Sequence, residues 1–92
     1  MKKFIEPLTT AVFTTKYIIE EGSPIVYVSH DEDGSWQFHG PENNVAIEAA
    51  RLVALGEIIE LDPSVLEVSE MPTGSKAIRN NKGSKWEIVN SN

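Results

Sequence analysis

Two histidines, His30 and His39, bracket the acidic run Asp31-Glu32-Asp33-Gly34, and these are the residues of the 92-residue chain whose types could carry proton chemistry. Histidine is the side chain that ordinarily titrates near neutrality, so an acid-base mechanism would start from it. His30 beside Asp31 and Asp33, with Ser29 and Ser35 close in sequence, has the residue types of an oriented nucleophile. A working triad also needs an oxyanion hole and a cleft, and neighbours on one hairpin are ordinarily solvated turn polars. Neither histidine has a second at helical spacing, and there is no His-Glu-x-x-His run, so a zinc signature is absent. Asp31, Glu32 and Asp33 share the composition of a calcium loop. Counted from Asp31, Glu42 suits the last position of such a loop, but Trp36 stands where its turn requires glycine. The six glycines are isolated, which disfavours a phosphate-cradling loop. No cofactor is implied.

A β-hairpin positions these residues. Ile25 to His30 and Ser35 to His39 are rich in β-branched and aromatic residues and flank an acidic, glycine-closed turn. A four-residue loop over 31–34 predicts Ser29 opposite Trp36 and Tyr27 opposite Phe38, gathering those three aromatic residues on one face. Val26, Val28, His30, Gln37 and His39 then share the other face. In this register the histidines stand roughly 13 Å apart, too far to hold one metal ion. Trp36 becomes a core anchor beside a charged rim, an arrangement suited to meeting a basic patch.

The remaining elements follow from punctuation and periodicity. Thr10 to Thr15 reads as a first strand and Lys16 to Glu21 as a helical turn stopped by Gly22 and Pro24. Val45, Ala49, Leu52 and Val53 recur at helical spacing after Glu42-Asn43-Asn44, which predicts the main helix over about 43–55, interrupted by Gly56. Glu57 to Leu61 reads as a short strand or connector, and Val65 to Glu70 as a short helix. Lys76 to Arg79 and Lys85 to Val89 form a second hairpin around Asn80-Asn81-Lys82-Gly83-Ser84. The expected fold is α+β, a mostly antiparallel sheet of about four to six strands with the 43–55 helix packed on one face. Residues 1–92 make one domain, with 1–9 and 90–92 loose.

Composition removes several functions. Fourteen acidic residues against eight basic give a net charge of −6, which repels phosphate backbones and argues against nucleic-acid binding. Cysteine is absent, so disulfides and thiolate metal sites are excluded and a reducing compartment fits. No stretch approaches the ~20 apolar residues of a membrane span, and the start Met1-Lys2-Lys3-Phe4 meets Glu6 and Pro7 at once instead of an apolar signal core. The expected location is the cytoplasm.

Pro24-Ile25-Val26-Tyr27-Val28, Asp33-Gly34-Ser35-Trp36-Gln37-Phe38-His39-Gly40, Leu55-Gly56-Glu57-Ile58-Ile59-Glu60-Leu61-Asp62-Pro63 and Met71-Pro72-Thr73-Gly74 together carry a resemblance. Over most of residues 11–88 the chain resembles a small bacterial family of unknown function grouped, by gene neighbourhood, with immunity proteins of polymorphic toxin systems. The family commonly has an aromatic residue after the glycine matching Gly74, where this chain has Ser75. The resemblance implies a toxin as protein partner and no catalytic signature, and the net acidity with the acidic hairpin points to a basic surface on that partner. Two function classes follow. One is a non-catalytic binding domain that covers a basic surface with Asp31, Glu32, Asp33, Trp36 and Glu42. The other is a small hydrolase or metal-dependent enzyme using His30, His39 and nearby carboxylates. A third reading is an accessory domain that forms a homodimer through an exposed sheet edge.

Overall fold

The computed structural model describes residues 2–90. Its strands are β1 (Ala11–Thr15), β2 (Tyr27–His30), β3 (Trp36–His39), β4 (Ala50–Ala54), β5 (Ser75–Ile78) and β6 (Glu87–Asn90). They form one open sheet in the order β4-β1-β3-β2-β5-β6. Four of its ladders are antiparallel, and β1 runs parallel to β3 through Phe13 and Gln37. Two short helices, α1 (Lys16–Glu21) and α2 (Leu55–Leu61), and 3-10 segments at Ile47–Ala49 and Pro63–Val68 complete an α+β fold.

The α1 helix has the ends its sequence predicts. Thr15 accepts a hydrogen bond from the Ile18 N–H, and Gly22 closes the helix in the left-handed region at φ 75°. The expected helix over 43–55 is not formed. Asn43 and Asn44 lie in bends with Asn44 left-handed, a single 3-10 turn follows, and Ala50–Ala54 is strand β4. The segment Ala-Arg-Leu-Val-Ala satisfies both periodicities, and tertiary pairing decides between them. As a strand it pairs along the whole of β1, from Ala11 with Ala54 to Thr15 with Ala50, and so covers what would otherwise be an open edge. Helix α2 then starts at Leu55 and buries Leu55 and Ile58. Gly56, expected to interrupt a helix, sits inside the first turn of this one. Its N–H donates to the Leu8 carbonyl at 2.9 Å, and a Cβ there would lie 3.3 Å from that of Leu8.

The first hairpin forms one residue out of the expected register: Tyr27 pairs with His39, Val28 with Phe38, Ser29 with Gln37 and His30 with Trp36. The Gly34 N–H bonds to the Asp31 carbonyl and the Asp31 N–H to the Ser35 carbonyl, while Gly34 is left-handed at φ 91°. This is a three-residue loop closed by a glycine bulge. Because side chains alternate, the slip exchanges faces. Val28 and His30 join Trp36 and Phe38 on the covered face, while Tyr27 crosses to the side of His39 and Gln37.

Phe4 takes the place expected for Tyr27. Its ring meets Trp36 edge-on with centroids 4.9 Å apart and lies 6.5 Å from Phe38. Of the segments 1–9 and 90–92, expected to be loose, Phe4 is packed into the core and Asn90 pairs with Ser75 in β6, whereas Met1, Ser91 and Asn92 lie outside the described residues. The core unites Val12, Val28, Trp36, Phe38 and Ala77 of the sheet with Leu55, Ile58, Val65 and Val68 above it. The opposite face carries a row across all six strands, Leu52, Phe13, Gln37, Ser29, Lys76 and Val89. Leu52 is 61% and Phe13 44% exposed, so helices cover one face of this sheet and leave the other open.

Beyond β5 a buried ion pair ties layers together. The Arg79 guanidinium bonds to the Asp62 carboxylate, to Ser64 Oγ at 2.9 Å and to the Ile25 carbonyl at 2.9 Å, and stacks on Trp86 at 4.2 Å. Both charged residues are under a tenth exposed.

Candidate functional site

The acidic turn forms the free end of the β2–β3 hairpin, and hydrogen bonds fix its carboxylates. Asp33 Oδ1 accepts from the Ser35 N–H at 2.9 Å, and the hydrogen bonds from Ser35 hold this exposed carboxyl below its ordinary value. Asp31 is held from the open face of the sheet. His39 Nε2–H donates to Gln37 Oε1 at 2.9 Å, and Gln37 Nε2–H donates to Asp31 Oδ2 at 2.7 Å. Register makes this string possible, since Asp31, Gln37 and His39 all project to one face. Glu32 is exposed and extends the negative surface.

Burial lowers the His39 pKa, and the Asp31 charge opposes that shift. A histidine whose folded pKa lies below its unfolded value favours the folded state while neutral. That stabilisation is complete above about pH 6.5 and falls away as pH drops through the lowered folded value. Stability is therefore expected to decline as pH falls below this point, and His39→Gln should flatten that part of the profile. Urea denaturation of the two proteins across the pH range checks the outcome.

The structure separates the other residues singled out from the sequence. Trp36 is 2% exposed and presents no ring to a partner; its Nε1–H donates to Glu6 Oε2 at 2.9 Å. Glu42 lies beyond β3, at the far end of the hairpin from the turn, where its Oε2 accepts from Ser23 Oγ at 2.6 Å. His30 lies flat on Trp36, centroids 3.8 Å apart and planes within 10°, and its Nδ1–H donates to the Met71 carbonyl at 2.8 Å. His30 and His39 thus occupy opposite faces of the sheet. Among the described residues, no group of three or more histidines and carboxylates is placed to hold a metal ion.

Two carboxylates that the sequence did not single out accompany the turn. Glu6, brought in by the N-terminal segment, and Glu70, just before Met71, line a pocket with His30 and Trp36. Nothing near residue 6 or residue 70 in the sequence signals this meeting, because Trp36 and His30 are distant in the chain. Beside the turn on the open face, Tyr27, Ser29 and Lys76 line a shallow depression with Asp31 and Glu32. The result is an acidic pole at the turn end of the hairpin, formed by Asp31, Glu32 and Asp33, with Lys76 beside it on the open face.

No family model, curated protein or solved structure matches the chain. Among the described residues no helix is long and apolar enough to cross a membrane.

Proposed function

We infer that the protein is a non-catalytic protein-binding domain whose acidic pole meets a basic partner surface, in the manner of an immunity-type protein that neutralises a toxin. The observation that carries this reading is the fixed acidic turn. Asp31 and Asp33 are tied by hydrogen bonds to Gln37 and to the Ser35 backbone, so carboxylates project from a sheet end with little freedom to lose on contact. The net charge of −6 adds long-range attraction toward a basic surface. The uncovered sheet face, with Phe13 and Leu52 exposed on one side of the polar string and Ile78 exposed beside the half-buried Tyr27 on the other, continues from the turn and supplies apolar contact area. The competing enzyme reading required His30 and His39 to act together, and opposite faces of a sheet cannot present them to one substrate. The homodimer reading rests on the β4 and β6 edges alone. Membrane and nucleic-acid partners are not part of the proposal, and the cytoplasm is its setting.

The test is capture from cell extract with the full chain, followed by kinetics on the captured protein. The charge-neutralised variant Asp31→Asn, Glu32→Gln, Asp33→Asn is expected to slow association at low salt by about tenfold, with the difference shrinking as salt rises. An association rate that ignores these substitutions removes the turn from the interface.

A further inference from the structure

A sheet face that water covers ordinarily sets polar side chains outward against apolar ones inward. Strands β4 and β1 do not follow that pattern. Their outward positions are Ala50, Leu52 and Ala54 on β4 and Ala11, Phe13 and Thr15 on β1, with Leu52 and Phe13 exposed. At the other side of the sheet β5 and β6 turn out Ile78 and Val89, also exposed, so two apolar wings flank a polar middle of Gln37, His39 and Ser29. Charge sets this face apart from the rest of the molecule. Its strand positions carry one lysine, Lys76, and one carboxylate, Glu87, which balance, while the whole chain carries −6. A basic partner finds no net charge to answer on these strands. Two copies of an acidic chain, which repel each other elsewhere, can meet on them without that repulsion. The area is also sufficient. The molecule measures 29 × 27 × 25 Å, so one whole side offers on the order of 700 Å², close to the ~800 Å² that each partner gives a standard interface.

We propose that the free protein forms a homodimer by stacking this face on that of a second copy, about a two-fold axis parallel to the strands. The sheet order reads in reverse across such an axis, which lays β4 of one copy over β6 of the other and β1 over β5. Leu52 then faces the second copy's Val89, and Phe13 receives the stem and ammonium of its Lys76. Polar middle meets polar middle, with the sheets about 10 Å apart as in a β-sandwich. A two-fold perpendicular to the strands would instead set Lys76 against Lys76. The contact stacks faces and leaves the β4 and β6 edges unpaired. Both acidic turns emerge at the same end of the dimer. On the protein-binding reading, and only for this consequence, they offer the partner a doubled acidic pole.

Sedimentation velocity of the full chain, from micromolar to millimolar concentration, tests it. Wild type is expected to become dimeric within that range. Leu52→Glu and Val89→Lys, both at exposed positions, should each weaken the dimer by about 100-fold or more, because each buries an unpaired charge in the contact. Mixing the two variants should restore a dimer, since the introduced carboxylate then faces the introduced ammonium. Urea denaturation of each variant should match wild type, which separates lost association from lost folding. Neutralising the turn with Asp31→Asn, Glu32→Gln and Asp33→Asn should tighten the dimer about two- to fivefold at low salt, because two like-charged turns share one end. A wild type that stays monomeric overturns the dimer. So does a dimer that Leu52→Glu leaves intact, which would place the contact at a sheet edge. Variants that dissociate but fail to restore each other overturn the two-fold arrangement. A monomer whose captured basic partner is lost with Leu52→Glu overturns the dimer and gives the face to that partner. A partner that ignores the turn sinks the functional reading and leaves the dimer standing.

Discussion

Replacing Asp62 by Ala is expected to destabilise the protein by about 3–5 kcal/mol, a loss of the size that removing a large core side chain brings. Arg79 would keep its charge and its burial while losing the carboxylate that answers it, and an uncompensated buried charge is the main source of that loss. The same substitution frees the Ser64 N–H, which Asp62 Oδ1 accepts at 3.1 Å at the start of the Pro63–Val68 segment. Arg79 joins the end of β5 to Ile25 before β2, to Ser64 and to Trp86, so the damage should spread across three parts of the chain. Urea denaturation of wild type and variant measures the difference, and a loss under about 1 kcal/mol would show that the pair is effectively solvated. Acid should reproduce the effect. Burial works to raise the Asp62 carboxyl, but hydrogen bonds from Ser64 and Arg79 and the charge of Arg79 outweigh it and hold the folded value below the ordinary one. Stabilisation from this group is therefore present above about pH 4 and is lost as pH falls through the lowered folded value. Asp62→Ala should lack that limb of the acid profile.

The second large effect belongs to Phe4, and it discriminates between the two hairpin registers. Phe4→Ala is expected to cost about 3 kcal/mol, at the low end for a buried phenylalanine because the N-terminal segment can partly collapse into the space. Tyr27→Ala should cost only about 1 kcal/mol, since the ring lies half-buried on the open face against His39 at 5.9 Å. In the register read from the sequence the order is reversed, with Tyr27 in the aromatic cluster and Phe4 outside it. Equilibrium denaturation of the two variants side by side decides between them.

Local signals in this chain were readable where the partner of a residue lies close in sequence. Strand β1, helix α1 with its Gly22 stop, the first hairpin and the Lys76 to Val89 hairpin follow from turn chemistry and alternation over a few residues. The register slipped because Asp31-Glu32-Asp33-Gly34 fits a four-residue loop as well as a three-residue loop closed by a left-handed glycine. One residue of difference then moved Tyr27 to the wrong face. The segment 50–54 was ambiguous for a different reason, because its small and aliphatic residues meet both periods and the edge of β1 chooses between them. The acidic turn itself was legible from composition. Its companions Glu6 and Glu70 were not, because the contacts that place them, Glu6 with Trp36 and the Met71 carbonyl with His30, span 30 and 41 residues. The Asp62–Arg79 pair, 17 residues apart across a turn and a strand, left no local trace either.

The order of the sheet bears on how the chain reaches this structure. Strand β1 is flanked by β3 and β4, so neither of its neighbours follows it directly in the sequence. The two edges of β1 stay unpaired until the chain has closed a loop from Phe13 to Gln37 on one side and from Ala11 to Ala54 on the other. Helices of six and seven residues are too short to persist alone and cannot nucleate the process. Closure entropy must therefore be met before the pairings of β1 contribute, which slows folding relative to a chain held by local contacts. During synthesis its first strand has no partner until β3 and β4 have emerged, and Val12, which ends fully buried, is exposed to other chains for that interval.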